Sequence, residues 1–230
     1  MTFRKNFVLT LALAVSTVGA AQAADVYVAH GINGADLGAA EALPVDVVVN
    51  GACFLTGFTF GNFAGPVELP TGSYDVEVRL GDGACGGATA IAGTVELRSS
   101  EKATLVAHLD EGGTPTLSKF RDPVRRVRDG FGRIEIRHTA FAPTVDVELK
   151  RKRGQIAFTG LANGTAQNAD FGRGRWTTRI FPATGNSLVT APVKLSPRQG
   201  FATIVYAVGS LDGGTFGFLV QQIPAHSDAP

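Results

Sequence analysis

The chain has 230 residues and a mass of 23.9 kDa, room for one large or two small domains, each with its own core. Hydrophobic residues at 44% and charged residues at 18% exclude a disordered or fibrous chain. Glycine at 29, proline at 11 and 15 Phe against three Tyr and one Trp suit strands and turns, and the formal charge of +1 hides a strong internal asymmetry.

In chain order, residues 1–23 read as a signal peptide. Arg4 and Lys5 precede an apolar run from Phe7 to Val15, and Ala21-Gln22-Ala23 supplies an Ala-x-Ala cleavage site. The apolar run is well short of the ~20 residues that a membrane span needs. A soluble mature chain in the periplasm or outside the cell is therefore expected. Cys53 and Cys85 are the only cysteines. In an exported chain the pair predicts a disulfide, worth about 3–4 kcal/mol in the chain-entropy model.

The rest of the sequence repeats itself. Val26-Tyr27-Val28-Ala29-His30 recurs as Ile134-Glu135-Ile136-Arg137-His138, and Pro44-Val45-Asp46-Val47 as Thr144-Val145-Asp146-Val147. Phe54-Leu55-Thr56-Gly57-Phe58 matches Ala157-Phe158-Thr159-Gly160-Leu161, and Thr94-Val95-Glu96-Leu97 matches Pro192-Val193-Lys194-Leu195. Ala103-Thr104-Leu105-Val106 matches Ala202-Thr203-Ile204-Val205. Five blocks in one order define a tandem duplication.

Each copy alternates polar and apolar residues between turn clusters, as in Ser73 to Leu80, whose place Arg175 to Phe181 takes in the second copy. Thr94–Leu97 and Lys102–Ala107 around a polar turn read as a hairpin. The prediction is all-β: two tandem immunoglobulin-like β-sandwiches of about seven strands each. The expected divisions are an acidic repeat over 24–118, a basic linker over 119–132, a basic repeat over 133–223 and a polar tail over 224–230. Copy one spans 31–44 between its His and its Val-Asp-Val, where copy two uses only 139–144, so the longer segment is a candidate binding loop or a tolerated insertion.

His138-Thr139-Ala140-Phe141-Ala142-Pro143 followed by Val145-Asp146-Val147, with Leu69-Pro70-Thr71-Gly72-Ser73-Tyr74-Asp75-Val76 in the first copy, resembles a bacterial exported family known as domain of unknown function 4397. The resemblance covers nearly all of the mature chain and implies export and tandem β-sandwich units. It supplies no catalytic residues to carry over.

From 24 to 118 there are twelve acids and three bases; from 119 to 230 there are sixteen bases and eight acids. Two basic clusters stand out as candidate binding residues: Arg125, Arg126 and Arg128 in the junction, and the run Lys150-Arg151-Lys152-Arg153 at an expected hairpin tip. They are read as a solvated surface, as contacts between opposite charges within a molecule or head to tail between molecules, or as a means to capture an acidic envelope polymer or glycan. Nucleic acid is not expected as a partner, because export removes it and no recognition helix is present.

Candidate chemistry is sparse. His30 with Asp46 and His138 with Asp146 form a repeated pair that a hydrolase would need to complete with a nucleophile and an oxyanion hole, and no Gly-x-Ser-x-Gly accompanies them. They are read as a structural signature in which the His fixes a strand end. No metal-ligand spacing or cofactor motif occurs, so no enzyme, metal or cofactor is expected. Phe54, Phe58, Phe60 and Phe63 are core candidates, with an exposed sugar-stacking strip as the alternative.

Overall fold

The computed structural model describes residues 23–172, 174–185, 187–190 and 192–225. The expected leader, apart from residue 23, and most of the polar tail lie outside the described residues. The first copy forms β1 (Ala24–His30), β2 (Val45–Val49), β3 (Ala52–Phe58), β4 (Phe63–Leu69), β5 (Gly72–Leu80), β6 (Thr89–Leu97), β7 (Lys102–Leu109) and β8 (Pro115–Arg121). The second forms β9 (Phe131–His138), β10 (Val145–Arg151), β11 (Gly154–Leu161), β12 (Thr165–Gly172), β13 (Trp176–Pro182), β14 (Val193–Leu195), β15 (Phe201–Val208) and β16 (Gly217–Pro224).

Each copy is a β-sandwich of two four-stranded sheets with the same strand order. The first has β4-β1-β7-β8 facing β3-β2-β5-β6; the second has β12-β9-β15-β16 facing β11-β10-β13-β14. In both, the first and seventh strands pair in parallel and their other neighbours antiparallel. That is eight strands per copy against the seven or so expected.

The hairpin expected around residues 98–101 does not form. β6 pairs with β5 and β7 with β1 and β8, so this turn arches from one sheet to the other. Leu97 and Leu105 meet in the same core from opposite sheets, which a hairpin would forbid. Glu101 braces the arch, accepting from the Arg98 amide at 3.0 Å and from Lys119 Nζ at 3.1 Å. The chain passes between the sandwiches over residues 122–130, because Lys119 and Arg121 belong to β8.

The two cores are separate and apolar. One gathers Val26, Val47, Val76, Val95 and Leu105, and the other Ile134, Val147, Phe158, Phe171, Trp176 and Val205. A third cluster lies between the sandwiches, where Ala29, Val106 and Phe120 pack on Ile204, Tyr206, Val208 and Ile223. The sheet of β1 therefore stacks on the sheet of β9, giving four layers. This explains why β7 and β15 are apolar or buried at nearly every position rather than alternating.

The 31–44 segment also joins the halves. It carries a short 3-10 turn over Gly34–Leu37, and Asp36 accepts from Thr215 Oγ1 at 2.6 and 2.8 Å. The insertion therefore braces the second sandwich.

Candidate functional site

The repeated His and Asp do not meet each other; each holds backbone. Nδ1 of His30 accepts from the Ile32 amide at 3.3 Å, which leaves Nε2–H to donate to the Leu43 carbonyl at 2.9 Å. His138 does the same with the Ala140 amide at 3.4 Å and the Pro143 carbonyl at 2.9 Å. One clamp thus closes connections of unequal length. Burial drives both imidazoles below the usual histidine value, as it does for His108, which bonds the Leu109 carbonyl and Ser118 Oγ.

Asp46 Oδ1 accepts from the Gly57 amide at 2.8 Å, and Asp146 Oδ1 from the Gly160 amide at 2.8 Å. Both glycines sit at φ +63°, where the β2–β3 and β10–β11 registers shift. The Thr-Gly of each copy is thus a bulge, its Gly required by the positive φ and its amide satisfied by the Asp. Asp46 Oδ2 also takes amides of Asp82, Gly83 and Cys85, and these backbone bonds, that of Gly57 foremost, hold its carboxyl below the usual range. The 81–88 loop is thereby drawn against β2 and β3, where Cys85 bonds Cys53 with Cα atoms 5.7 Å apart.

A second polar centre was not legible as such in the sequence. Arg137, fully buried between the sandwiches, donates to Glu135 at 2.6 Å, Asp122 at 2.8 Å and Tyr206 Oη at 2.8 Å. Its guanidinium lies over the Phe120 and Tyr206 rings. Thr104 Oγ1 donates to Asp122 and Tyr206 Oη to Gln221 Oε1. Burial raises the Asp122 and Glu135 carboxyls against the pull of Arg137. Period-2 alternation puts Glu135 and Arg137 on one face of β9, opposite Ile134 and Ile136, which was the available signal. A polar cavity of ≈ 420 Å³ opens beside this network, lined by Lys102, Arg121, Arg125, Arg133, Glu135 and Asn168 among others. The apolar void inside the first sandwich, ≈ 40 Å³, is too small for a ligand.

The four phenylalanines are dispersed. Phe58 lies in a further buried cluster of the first sandwich with Ile32, Val45, Val78 and Ile91, Phe60 and Phe63 pack at the junction of the sandwiches, and Phe54 alone of the four is exposed. They make no continuous strip.

The basic candidates converge. Lys152 and Arg153 form the two-residue turn of the β10–β11 hairpin, where copy one uses Asn50-Gly51. Lys150 pairs with Glu148 at 2.7 Å, and Arg151 lies over Trp176, 4.6 Å from its centroid. Arg128 lies over Phe131 at 3.9 Å, and Arg125 and Arg126 are exposed beside it. The two clusters meet at Gly172: a Cβ there would stand 3.4 Å from Arg151 Nη2 and 3.7 Å from the Phe131 ring. Arg175 and Arg198, the latter over Phe201 at 3.8 Å, belong to the same end of the second sandwich and lie outside the two basic clusters of the sequence.

Because strands run up and down, the loops of each sandwich fall at two ends. Both sandwiches point the same way: Asn163 bonds the Leu109 and Ala140 carbonyls at one end, while Arg133 bonds the Pro123 and Arg125 carbonyls at the other. The loops at the linker end carry Arg98, then Arg125, Arg126 and Arg128, then Lys152 and Arg153, then Arg175 and Arg198, against Glu101, Asp122 and Asp129. Those at the far end carry Asp36, Glu41, Asp82, Asp110, Glu111 and Asp212, and their sequences contain no Lys or Arg.

Fold and surface thus define a class, a tandem β-sandwich whose connecting loops are sorted by charge. The chain belongs to the family described as Domain of unknown function (DUF4397), which matches residues 24–148: the whole first sandwich, β9 and most of β10. The match is shorter than the nearly complete coverage expected from the motifs. No curated protein matches the chain. Similar solved structures include the Bacillus anthracis TIE protein, at 12% identity and TM-score 0.27 over 80% of this chain and 33% of that one. This chain spans about a third of that protein's length. A candidate cell adhesion protein from Bacteroides ovatus matches at 9% identity and TM-score 0.26, over 89% of this chain and 99% of that one. The fimbrial anchor protein Mfa2 from Porphyromonas gingivalis matches at 9% identity and TM-score 0.24, with the same coverage. At these scores the likenesses carry no argument. Among the described residues no group of His, Cys, Asp or Glu is arranged to hold a metal, and no helix is long and apolar enough to cross a membrane.

Proposed function

We propose that this is an exported, non-catalytic protein of the cell envelope or extracellular space that works by charge-driven association, with the linker end of the molecule as its binding end and an acidic partner bound there. The observation that carries this reading is the sorting of loop charge: exposed bases of both clusters share one end, and the far-end loops hold only carboxylates. The non-catalytic reading is supported by the imidazoles, which are spent on backbone carbonyls instead of poised against a nucleophile. Export is supported by the leader-like first 23 residues and by the disulfide.

A direct test is binding of the mature protein to polygalacturonate across ionic strength. Replacing Lys150, Arg151, Lys152 and Arg153 with Ser should weaken binding and flatten its salt dependence, because screening shortens to about 8 Å at physiological ionic strength. Binding that survives the four substitutions unchanged would reduce the run to a solvated tip.

A further inference from the structure

The two sandwiches treat one carboxylate differently. Asp46 in β2 and Asp146 in β10 occupy equivalent places, and each accepts the bulge amide of its copy through Oδ1, from Gly57 and Gly160 at 2.8 Å. In the first copy Oδ2 is taken as well, by the amides of Asp82, Gly83 and Cys85 at 3.3, 3.1 and 3.0 Å, and Asp46 is buried. Val48, two residues along the same strand face, lies opposite Cys53 and is buried too, so the bridged 81–88 loop covers this face. In the second copy Glu148 stands where Val48 does, and among the described residues no amide of the 183–192 connection bonds Asp146. A cavity of ≈ 200 Å³ lies there instead, lined by Asp146, Glu148, Ala157, Thr159, Phe181 and Gly185 among others, and Asp146 is half-buried.

We propose that this cavity, on the outer face of the second sandwich, is a binding site for a single neutral sugar unit whose hydroxyls donate to Asp146 Oδ2 as the loop amides donate to Asp46. The first copy shows which chemistry satisfies that oxygen: N–H or O–H donors converging on it from outside the sheet. Charge decides between an ion and a neutral ligand. Glu148 pairs with Lys150 at 2.7 Å and with Arg179 at 3.6 Å, so two carboxylates stand beside two cations and no net charge draws an ion in. Size decides between a small ring and a protein loop. The cavity is smaller than the roughly 300–1,000 Å³ of sites for larger ligands, whereas the first copy covers the same face with the whole 81–88 loop. The walls suit one ring: Asp146 and Thr159 offer polar atoms to hydroxyls, and Ala157 and Phe181 offer apolar surface to the C–H face. The linker loops take no part in this site, which stands apart from the basic end.

The experiment is a titration of the isotope-labelled mature protein with the methyl glycosides of glucose, galactose, mannose and N-acetylglucosamine, read by NMR at the Gly160 and Gly57 amides. Concentrations run to ~100 mM, because a single small ligand in a shallow site binds weakly. At least one glycoside should shift Gly160 along a saturating curve and leave Gly57, whose Asp is already covered, in place. Asp146→Asn keeps an acceptor for the Gly160 amide but gives up the charge, and should weaken binding about tenfold, the worth of one hydrogen bond to a charged group. Ala157→Arg leaves Asp146 and its bulge intact, puts a long side chain into the cavity and should abolish the shift, with an unchanged melting temperature showing that the variant is folded. The absence of a saturating shift with all four glycosides would overturn the proposal. So would shifts of Gly57 equal to those of Gly160, or binding undiminished in both variants. A shift of Gly160 by methylammonium and by none of the glycosides would make the occupant a cation and overturn the sugar.

Discussion

Arg137, Asp122 and Glu135 place three charged groups between two sheets, bonded to one another and to Tyr206, Thr104 and Asn168, with Asp122 Oδ2 left without a partner. Removing Arg137 leaves two buried carboxylates without their cation, so Arg137→Ala should cost about 3–5 kcal/mol by chemical denaturation. The loss has a pH signature. Asp122 and Glu135 already titrate above their ordinary values, and a raised carboxyl contributes stability at low pH that is lost as pH rises through its folded value. The deficit of the variant should therefore be larger at neutral pH than at mildly acid pH; an equal deficit would mean that the carboxyls are stabilised without Arg137. The three buried histidines act oppositely. Each is held below 6.5, so the unfolded chain takes up protons first and stability falls as pH drops below about 6.5. His138→Asn should lessen that slope in urea midpoints taken from pH 7 to 5, although Glu111 and His108 also act on this ring.

At the scale of strands and loops, alignment by letters and alignment by hydrogen bonds part company. Ala103 lies opposite Val26 and Thr203 opposite Ile134, so Ala103 corresponds to Thr203 and not to Ala202. A one-residue slip exchanges the faces of a strand: it would turn Val205 out of the second core, where Leu105's counterpart must stand, and put Ile204 in. The Val95–Val193 match is off by two instead, since Val95 faces Tyr74 and Leu195 faces Trp176. That slip keeps the face, because β-strands alternate with period two. The Cys53–Cys85 bridge belongs to this scale as well, tying the 81–88 loop to β3 across a sequence separation of 32. Reduction, or the Cys53→Ser/Cys85→Ser pair, should lower unfolding free energy by about 3–4 kcal/mol. A change near zero would show that Asp46, through its four amide bonds, holds the loop unaided.

For the whole molecule, the halves-by-charge picture drawn from the sequence describes only part of the field. Acids of the first copy and bases of the second are separated along the chain, but folding re-sorts the loop charges by strand direction. Among the loops, Arg128 and Arg198 come to one end and Glu41, Glu111 and Asp212 to the other. Contact between the halves does not consume these groups, because the junction is made by Val106, Phe120, Ile204 and Tyr206 around Arg137. The proposed charge-driven association would therefore fall to the ends of the molecule, where binding across ionic strength tests it.

The sequence by itself determined the duplication, the two all-β units, the Cys53–Cys85 bridge, a hairpin tip within the run Lys150 to Arg153 and the repeated His and Asp. These are local or repeated patterns, and alternation, turn chemistry and cysteine parity act over a few residues or between like positions. Tertiary structure alone decided that Arg137 is a buried hub, that residues 98–101 cross between sheets, and that the 31–44 insertion braces the second sandwich through Asp36. It alone brought Arg151 and the Phe131 ring, on which Arg128 lies, together at Gly172. The physical reason is the same in each case: which face a strand presents to a second sheet, and which end a loop occupies, follow from long-range pairing that no window of neighbouring residues encodes.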